Sequence, residues 1–166
     1  MQGRDYIVRI RAMKGKFKTA IYADNRRAFF DYQILDTYEA GIELFGFEVK
    51  AVKNGKANLT GGYCAFHGKE LFLLNAKIFP LQKKNIPAEY NEERSRRLLL
   101  KKSELAEIAR KTQAQRLTII PLKLYNKKGL IKVEIGLAKG LKKYEKREKI
   151  KKREAEREIQ RAMRDL

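Results

Sequence analysis

The segment Thr37–Leu59 constrains the fold more than any other part of the chain, because Gly41, Gly46 and Gly55 interrupt it at short intervals. Glycine reaches backbone conformations that other residues adopt only with strain, so each of the three marks a candidate bend. We predict a strand that runs into a turn, about two helical turns that stop at Gly55, and a strand that resumes after it. This path would close a small sheet on itself. Three lysines would then lie on the outer side of the bend: Lys50, Lys53 and Lys56.

The balance of charge indicates an anionic partner. The chain has 39 Lys and Arg against 20 Asp and Glu, which gives a formal net charge of +19 over 166 residues. A charge-rich surface, as in heat-adapted proteins, explains many charged residues but not this imbalance. Such an excess favours a polyanion, with nucleic acid first and an anionic membrane surface second, because phosphate contacts supply much of the binding free energy to nucleic acids.

Composition indicates one globular domain plus a tail. With 43% hydrophobic residues, eight Phe and eight Tyr, the chain can fill a core. No apolar run approaches the roughly 18 residues of a membrane span, and residues 1–22 lack the pattern of a signal peptide. The single cysteine, Cys64, excludes an internal disulfide and suits a reducing cytosol. We therefore predict a cytoplasmic protein with no membrane attachment.

Strand patterns dominate between residues 29 and 139. Alternation and turn signals predict these strands: Phe29–Thr37, Ile42–Phe45, Tyr63–Phe66, Glu70–Asn75 with its extension Ala76–Phe79, Leu117–Tyr125 and Leu130–Lys139. The last two form the clearest hairpin, which turns at Asn126–Gly129. Pro121 marks an edge or a bulge within that hairpin, because proline cannot donate to a strand ladder.

Two segments are predicted to flank the strands as helices. Phe47–Lys53 fits both a strand and a helix, and Gly55 just beyond it favours the helix. Ser103 is expected to cap a helix over Glu104–Gln113. Short strands with inserted helices in a small chain predict a mainly β fold, namely a small antiparallel OB-type barrel with two or three flanking helices. A β-sandwich is the alternative.

The composition changes at Lys139. Lys139–Leu166 holds twelve Lys and Arg against six acidic residues, and its few apolar residues would form a narrow stripe on a helix. We predict that this basic C-terminal tail is disordered alone and becomes helical when bound to a partner. The chain then divides into a basic N-terminal arm at 1–22, a barrel at 23–138 and the tail at 139–166. Residues 1–12 are interpreted as an over-read start, since Met13 offers a second one, or as an arm without a function.

Residues for catalysis or metal binding are scarce. His67 is the only histidine and Cys64 the only cysteine, whereas a zinc site needs about four ligands. Neither glycine-rich phosphate-binding motif is present, and no pair of carboxylates has the setting of an acid and a base. We predict no enzymatic activity, no cofactor and no metal.

Short motifs in a fixed order carry a resemblance to a known family. They are Asn25–Ala28, Tyr38–Gly41, Gly46–Lys50, Gly55–Asn58, Leu98–Leu100, Pro121–Tyr125, Lys132–Glu134, Ala138–Gly140 and Lys146–Glu148. Together they resemble small protein B (SmpB), the family of bacterial SsrA-binding proteins that are partners of tmRNA. The resemblance covers about residues 20–166. It implies an oligonucleotide-binding barrel in which Phe47–Lys53 is a helix.

The resemblance also implies a function in trans-translation. The barrel would bind the tRNA-like domain of tmRNA, promote its charging by alanyl-tRNA synthetase, and bring it with elongation factor Tu to stalled ribosomes. The tail would enter the empty mRNA channel beside 16S rRNA at the decoding centre. Such a protein is expected to act as a monomer. An OB-type ribosomal or translation-factor protein that binds rRNA remains the alternative.

Matching positions imply particular roles. Asn25, Glu39, Leu99 and Lys132 fall where the family contacts or supports RNA, and Phe30 replaces a frequent histidine, so that stacking there could persist but a hydrogen bond could not. The RNA-binding candidates in the barrel are Asn25, Arg26, Arg27, Glu39, Lys53, Lys56, Asn58, Leu99 and Lys132. The ribosome-binding candidates in the tail are Gly140, Tyr144, Glu145, Lys146, Arg147, Lys149, Lys152, Arg153 and Arg157.

Some of these positions also fit simpler roles when they are taken without the family. Lys132 would be a solvated lysine, Glu39 a partner in a surface salt bridge, and Leu99 a core residue. The glutamate cannot attract phosphate, so a role in RNA binding would be a hydrogen bond to a base or ribose, or the orientation of a neighbouring lysine.

Overall fold

The computed structural model describes residues 20–81 and 86–164. Most of the predicted arm at 1–22 lies outside the described residues. The described residues form nine strands: β1 (Ile21–Asp24), β2 (Tyr32–Ile42), β3 (Ala57–Asn58), β4 (Tyr63–His67), β5 (Glu70–Leu74), β6 (Lys77–Ile78), β7 (Arg96–Leu99), β8 (Thr118–Lys127) and β9 (Leu130–Gly140). They also form four helices: α1 (Arg26–Asp31), α2 (Gly46–Lys53), α3 (Lys102–Gln115) and α4 (Lys143–Arg164).

The main sheet closes into a barrel because β8, which pairs with β4, also pairs with β9 at the other end of the sheet. Successive neighbours are β8, β4, β5, β7, β2 and β9, and β9 pairs again with β8. These pairings are antiparallel, and β1 adds to β8 outside the closed ring. Strands β3 and β6 form a separate two-stranded ribbon. The predicted mainly β fold, an OB-type antiparallel barrel with flanking helices, is confirmed.

The alternation along β9 shows how the sequence fills the barrel. Val133, Ile135 and Leu137 are fully buried, whereas Lys132 and Glu134, on the opposite face of the strand, are partly exposed. Burial of an aliphatic side chain of this size contributes about 1.5–3 kcal/mol, and a slip of one residue would turn the whole set outward. The pattern therefore determines the register. Other strands add fully buried residues to the same core, among them Leu71, Leu73, Leu98 and Leu124.

The first three helices attach to the barrel through short apolar faces. Ala51 and Val52 of α2 and Ile108 of α3 are buried in the main core. Ala28 of α1 belongs to a second, smaller cluster with three residues of β8 and β9: Ile120, Leu122 and Ala138. The barrel therefore fixes the positions of the polar faces of α1 and α2, where several of the predicted RNA-binding residues lie.

The predicted β8–β9 hairpin and its bulge are confirmed, but the turn is shorter than the predicted Asn126–Gly129, because β8 continues to Lys127. Lys128 and Gly129 connect the strands with φ of 51° and 83°, and positive φ at both central residues is the signature of a tight turn that matches strand twist. The register between the two strands slips between Pro121 and Lys123, so the proline lies at a bulge.

Two predictions on either side of Gly41 are wrong. Phe29–Asp31, predicted as the start of a strand, belongs to α1, because the Asn25 side chain accepts from the Ala28 N–H (3.2 Å) and caps a helix there. Strand β2 then runs from Tyr32 through Gly41 to Ile42, so Ile42–Phe45 is not a separate strand. Gly41 stays in the strand, and the chain turns only before α2. The predicted helix that ends near Gly55, with a strand after it, is confirmed.

Two further boundaries differ from the prediction. Asn75 has φ of 56°, which ends β5, so Ala76–Phe79 does not extend that strand and supplies β6 to the ribbon instead. Helix α3 begins at Lys102, and Ser103 lies inside its first turn. The Glu104 carboxylate accepts from the Lys101 N–H at 2.9 Å, so glutamate rather than serine satisfies the helix start.

A buried ion cluster joins α2 to the first residue of β7 and to the segment before that strand. Glu48 and Arg96 are both fully buried, and Glu48 Oε1 accepts from Arg96 Nη2 (2.8 Å), Arg96 Nε (3.0 Å) and the Tyr90 hydroxyl (3.0 Å). Arg94 also pairs with Glu48, and the Phe45 N–H donates to it at 2.8 Å. Burial acts to raise the pKa of Glu48, but these hydrogen bonds and charges outweigh burial and lower it. Arg94 and Arg96 therefore support the fold from within.

Candidate nucleic-acid interface

One row of residues crosses four strands on the outer face of the barrel. The strand registers pair Leu99 of β7 with Gly41 of β2, Gly41 with Lys132 of β9, and Lys132 with Tyr125 of β8. Glu39 lies two residues before Gly41 on β2 and therefore on the same face. Three candidates from different parts of the sequence, Glu39, Leu99 and Lys132, thus lie on one surface. We call this surface the strand patch; it consists of Glu39, Gly41, Leu99, Tyr125, Lys127 and Lys132.

Glu39 is the most constrained side chain of the strand patch. Its Oε2 accepts from the Tyr125 hydroxyl at 2.6 Å, and Lys127 Nζ donates to Oε1 and Oε2 at 2.9 and 2.7 Å. Burial acts to raise the pKa of Glu39, but the hydrogen bonds from Lys127 and Tyr125 and the charges of Lys127 and Lys132 outweigh it and lower the pKa. Partial burial and the hydrogen bond to Glu39 raise the pKa of Tyr125. Glu39 is therefore a fixed anion, and Tyr125 a donor, throughout the physiological range.

Leu99 is not a core residue, although an apolar side chain in a strand would usually be one. Its side chain is 51% exposed, whereas its neighbour Leu98 faces the core and is 2% exposed. Gly41 makes room for it, because a Cβ at Gly41 would lie 3.1 Å from the Leu99 Cβ. An exposed leucine on the same face as Lys132 and Glu39 offers an apolar contact within a polar surface.

Asn25 is a structural residue rather than an exposed one. It is 4% exposed, and its amide group donates to the Pro121 carbonyl (2.9 Å) and the Leu59 carbonyl (3.3 Å). Its oxygen caps α1, so all its polar atoms have partners within the protein. Asn25 therefore holds the start of α1 against β8, and the exposed Arg26 and Arg27 that follow it are presented from a fixed position.

The predicted basic face of α2 lies outside the barrel, as expected. Lys50, Lys53 and Lys56 are all exposed. Asn58 is also exposed, and its Oδ1 accepts from the Thr60 N–H at 2.8 Å, which folds the chain into the following turn.

A groove of about 490 Å³ separates α1 from the turn after β3. Its walls include Arg27, Thr60, Gly61 and Tyr63, and Tyr63 is 46% exposed. Gly61 has φ of 80°, so a side chain there would strain the turn. The groove offers a cation, an aromatic ring and backbone groups in one place, which is the kind of lining that RNA backbone and loop bases use.

Lys143–Arg164 of the tail forms one helix, α4, whose first turns touch α1, whereas Lys139 and Gly140 still belong to β9. Lys146 Nζ lies 2.7 Å from Asp31 Oδ1, and Lys149 Nζ donates to the Phe29 carbonyl at 2.9 Å. The Lys146 hydrogen bond outweighs burial and lowers the pKa of Asp31. Glu145 accepts from the Lys142 N–H at 2.6 Å and begins the helix. The helical form of the tail is confirmed; its disorder in isolation stays a prediction.

The remaining tail candidates are open to solvent. Gly140 is the last residue of β9, where it pairs with Tyr32, and it marks the exit of the tail from the barrel. Tyr144 is 57% exposed, and no residue of α4 is buried. The exposed candidates on this helix are Arg147, Lys149, Lys152, Arg153 and Arg157.

The described residues hold neither a cluster of metal ligands nor a membrane-spanning helix. Within residues 20–81 and 86–164, no group of three or more His, Cys, Asp or Glu side chains could hold a metal ion. None of the helices described combines the length and apolar character that a membrane crossing needs. Cys64 is buried, and burial raises the pKa of its thiol, as for a core residue.

Sequence reasoning missed Tyr125 and Lys127. Tyr125 was predicted as the end of a strand and Lys127 as part of a turn, and neither received a role; their contacts with Glu39 join residues 86 and 88 positions apart. The outward alternation of β8 could have placed them on one face, but the closure of the barrel that brings β2 beside β9 and β8 was needed to show the contact.

Comparison with known proteins agrees with these observations. The SmpB protein family model matches residues 22–165. The SsrA-binding protein of Thermosipho africanus is 51% identical over 140 residues, which cover 84% of this chain and 93% of that protein. The SsrA-binding protein of Gloeobacter violaceus is 46% identical over 152 residues, covering 92% and 99%.

A solved structure is also similar. It is described as "tmRNA-SmpB: a journey to the center of the bacterial ribosome", and its matching chain is 41% identical with a TM-score of 0.61, over 81% of this chain and 95% of that one. The chain therefore belongs to the SmpB protein family.

Proposed function

We propose that this protein is the RNA-binding adaptor of trans-translation. Its barrel binds the tRNA-like domain of tmRNA, and its tail enters the empty mRNA channel of a stalled ribosome at the decoding centre. The observation that carries this proposal is the strand patch, where an exposed leucine, a lysine and an oriented glutamate from three strands share one rigid face. The relatives are SsrA-binding proteins, and the similar structure is of tmRNA and SmpB in the bacterial ribosome.

The barrel supplies two kinds of contact in this proposal. Lysines and arginines on α1 and α2 neutralise phosphates, which gives affinity without reading sequence. The strand patch supplies directional contacts, since a folded RNA is recognised through its backbone, its ribose hydroxyls and its unstacked bases. Asn25 contributes indirectly, by fixing α1 and so the positions of Arg26 and Arg27. The other residues of the barrel that we propose to contact RNA are the predicted ones: Glu39, Lys53, Lys56, Asn58, Leu99 and Lys132.

The tail acts at the second site. Glu145, Lys146 and Arg147 lie in the first turns of α4 and act in the decoding centre, followed by the basic residues further along the helix. Lys146 contacts Asp31 of the barrel, so it must leave this contact to reach rRNA. The chain divides into an arm at 1–22, a barrel at 23–138 and a tail at 139–166. The barrel binds tmRNA, and the tail acts separately on the ribosome. Gly140 is the joint.

The other partners follow from tmRNA. Alanyl-tRNA synthetase and elongation factor Tu meet this protein through the tRNA-like domain that it holds. The protein acts as a monomer in the cytoplasm and carries out no chemistry of its own.

Truncation after Gly140 tests the division between barrel and tail. No residue of α4 is buried, so the barrel keeps its core without the tail. The truncated protein is expected to bind tmRNA nearly as tightly as the full chain and to lose peptide tagging on stalled ribosomes. Equal loss of both activities would refute the division. Sequencing of the RNA that co-purifies with the full chain provides the companion test, and a uniform yield of rRNA instead of tmRNA would favour the ribosomal-protein alternative.

A further inference from the structure

Glu39 is held by two side chains, Tyr125 and Lys127, to which neither the motifs nor the family resemblance assigned a role in RNA binding. We infer that Tyr125 and Lys127 are positioning residues, which fix the Glu39 carboxylate as a hydrogen-bond acceptor for a donor group of the bound RNA. This inference rests on the proposed function and deepens it, because it assigns the strand patch a directional contact besides its contacts with phosphate.

The geometry leaves Glu39 oriented but not saturated. A carboxylate offers about four lone-pair sites on its two oxygens. Oε2 accepts from Tyr125 (2.6 Å) and Lys127 (2.7 Å), while Oε1 accepts from Lys127 alone (2.9 Å). The side chain is 36% exposed, so a ligand can reach it. One acceptor position on Oε1 therefore remains for a donor from outside, in an orientation that two protein groups already determine.

The charges explain why a glutamate can lie in an RNA-binding surface at all. An isolated carboxylate would repel phosphate, whereas Lys127 pairs with it directly and Lys132 adds a further positive charge that lowers the pKa of Glu39. The local sum of the three groups is positive. Phosphate is therefore tolerated beside the strand patch, and the glutamate can select a donor instead of excluding the RNA.

The donor is a ribose 2′-hydroxyl or an exocyclic amine of a base. Both groups donate a hydrogen bond, and both are displayed where a folded RNA has a shallow minor groove or unstacked loop bases. Phosphate oxygens only accept, so they cannot be the partner of Glu39.

Binding of the full-length protein to a transcript of the tRNA-like part of tmRNA tests this inference. Tyr125→Phe removes one hydrogen bond to Glu39 and is expected to weaken binding about 3- to 10-fold. Lys127→Met leaves the carboxylate without its counter-charge and is expected to weaken binding roughly tenfold or more at low salt. Adding Glu39→Gln to Lys127→Met should recover much of that loss, because the repulsive charge is gone. A purely structural role for Lys127 predicts no such recovery.

Two control variants lose the same kinds of contact elsewhere. Tyr38→Phe removes a hydroxyl that donates to Glu107 (3.0 Å) from the opposite face of β2. Lys77→Met removes a partly exposed lysine that pairs with Glu93 (2.9 Å) on β6. Both variants should bind the transcript as the unaltered protein does. Two transcripts, one with 2′-fluoro pyrimidines and one with 2′-fluoro purines, distinguish the donors, because a 2′-fluoro group cannot donate: one of the two binds weakly if a ribose donates, and both bind normally if a base amine does.

Two results would overturn the inference in different ways. If Tyr125→Phe and Lys127→Met bind within about twofold of the unaltered protein, as the controls do, then the two residues do not position Glu39 for RNA, and the proposed function is untouched. If the unaltered protein does not bind the transcript, the proposed function fails, and the inference fails with it.

Discussion

Arg96→Met is expected to destabilise the protein far more than any other single loss of a positive charge in the same strand. The Arg96 guanidinium is fully buried and donates to Glu48 and to the carbonyls of Ala76 (2.7 Å), Glu92 (2.9 Å) and Arg94 (3.0 Å). Removal leaves those carbonyls without this donor and takes one counter-charge from a buried carboxylate.

The size of the loss in unfolding free energy depends on the partners that Glu48 keeps. Breaking a buried ion pair by removing one partner costs about 3–5 kcal/mol. Glu48 keeps Arg94, the Tyr90 hydroxyl and the Phe45 N–H, so the lower end of that range, about 3 kcal/mol, is expected. For a chain of this length a loss of that size lowers the melting temperature by roughly 6–12 °C.

Urea and thermal unfolding followed by circular dichroism measure this loss. The matched control is Arg97→Met on the next residue of β7, whose pair with Glu70 is about half exposed, and a loss of about 0–1 kcal/mol is expected there. Equal destabilisation by the two variants, or less than 1 kcal/mol for Arg96→Met, would refute the assignment of the Glu48 cluster as the internal support of α2.

The same cluster predicts a pH dependence. The folded-state pKa of Glu48 lies below its ordinary value, so its contribution to stability is fully present above the unfolded pKa, about 4.3, and is lost as the pH falls through the folded value. Unfolding free energies measured from pH 7 downward should therefore fall below about pH 4.3, and less steeply in Arg96→Met, where the folded pKa of Glu48 is lowered less. Equal slopes for the two proteins would contradict this account.

Three further perturbations test the surface of the molecule. Gly41→Val should weaken RNA binding severalfold, because its Cβ would lie 3.1 Å from the Leu99 Cβ and displace that side chain; binding unchanged in a folded variant would argue against a role for Leu99. Asp31→Asn should loosen the attachment of α4 by removing the ion pair with Lys146, and spin labels on α1 and α4 should report a broader distance distribution, which an unaltered distribution would contradict. Lys53→Ala should reduce the salt dependence of RNA binding by about one unit of slope if that lysine contacts a phosphate, whereas an identical slope would exclude the contact.

Strand alternation and turn chemistry predicted much of the fold. The β8–β9 hairpin followed from its two apolar runs and the glycine between them, and the bounds of α2 from Gly46 and Gly55, whereas Gly41 stays within β2. Phe29 shows where local patterns fail: it lies in an apolar run that reads as strand, but the cap at Asn25 and the burial of Ala28 make this stretch a helix. The Asn25 side chain is held in place by hydrogen bonds to the carbonyls of Leu59 and Pro121. Both residues are remote in sequence, so local β-propensity could not show that a helix begins here.

The site could be predicted only in part, because it depends on closure of the barrel. The motifs pointed to Glu39, Leu99 and Lys132 separately, and the strand registers were needed to place them on one face. Arg94 and Arg96 pair with the buried Glu48, and the sequence alone could not show this contact because the residues are more than 40 positions apart.

The separate use of barrel and tail is tested most directly by hydrogen exchange on the full-length protein, first with tmRNA alone and then with stalled ribosomes added. The account predicts that tmRNA alone slows exchange in β2, β8 and β9 around the strand patch and leaves Lys143–Arg164 unchanged, and that protection of this helix appears only with ribosomes. Protection of the helix by tmRNA alone, without any change at the strand patch, would contradict it.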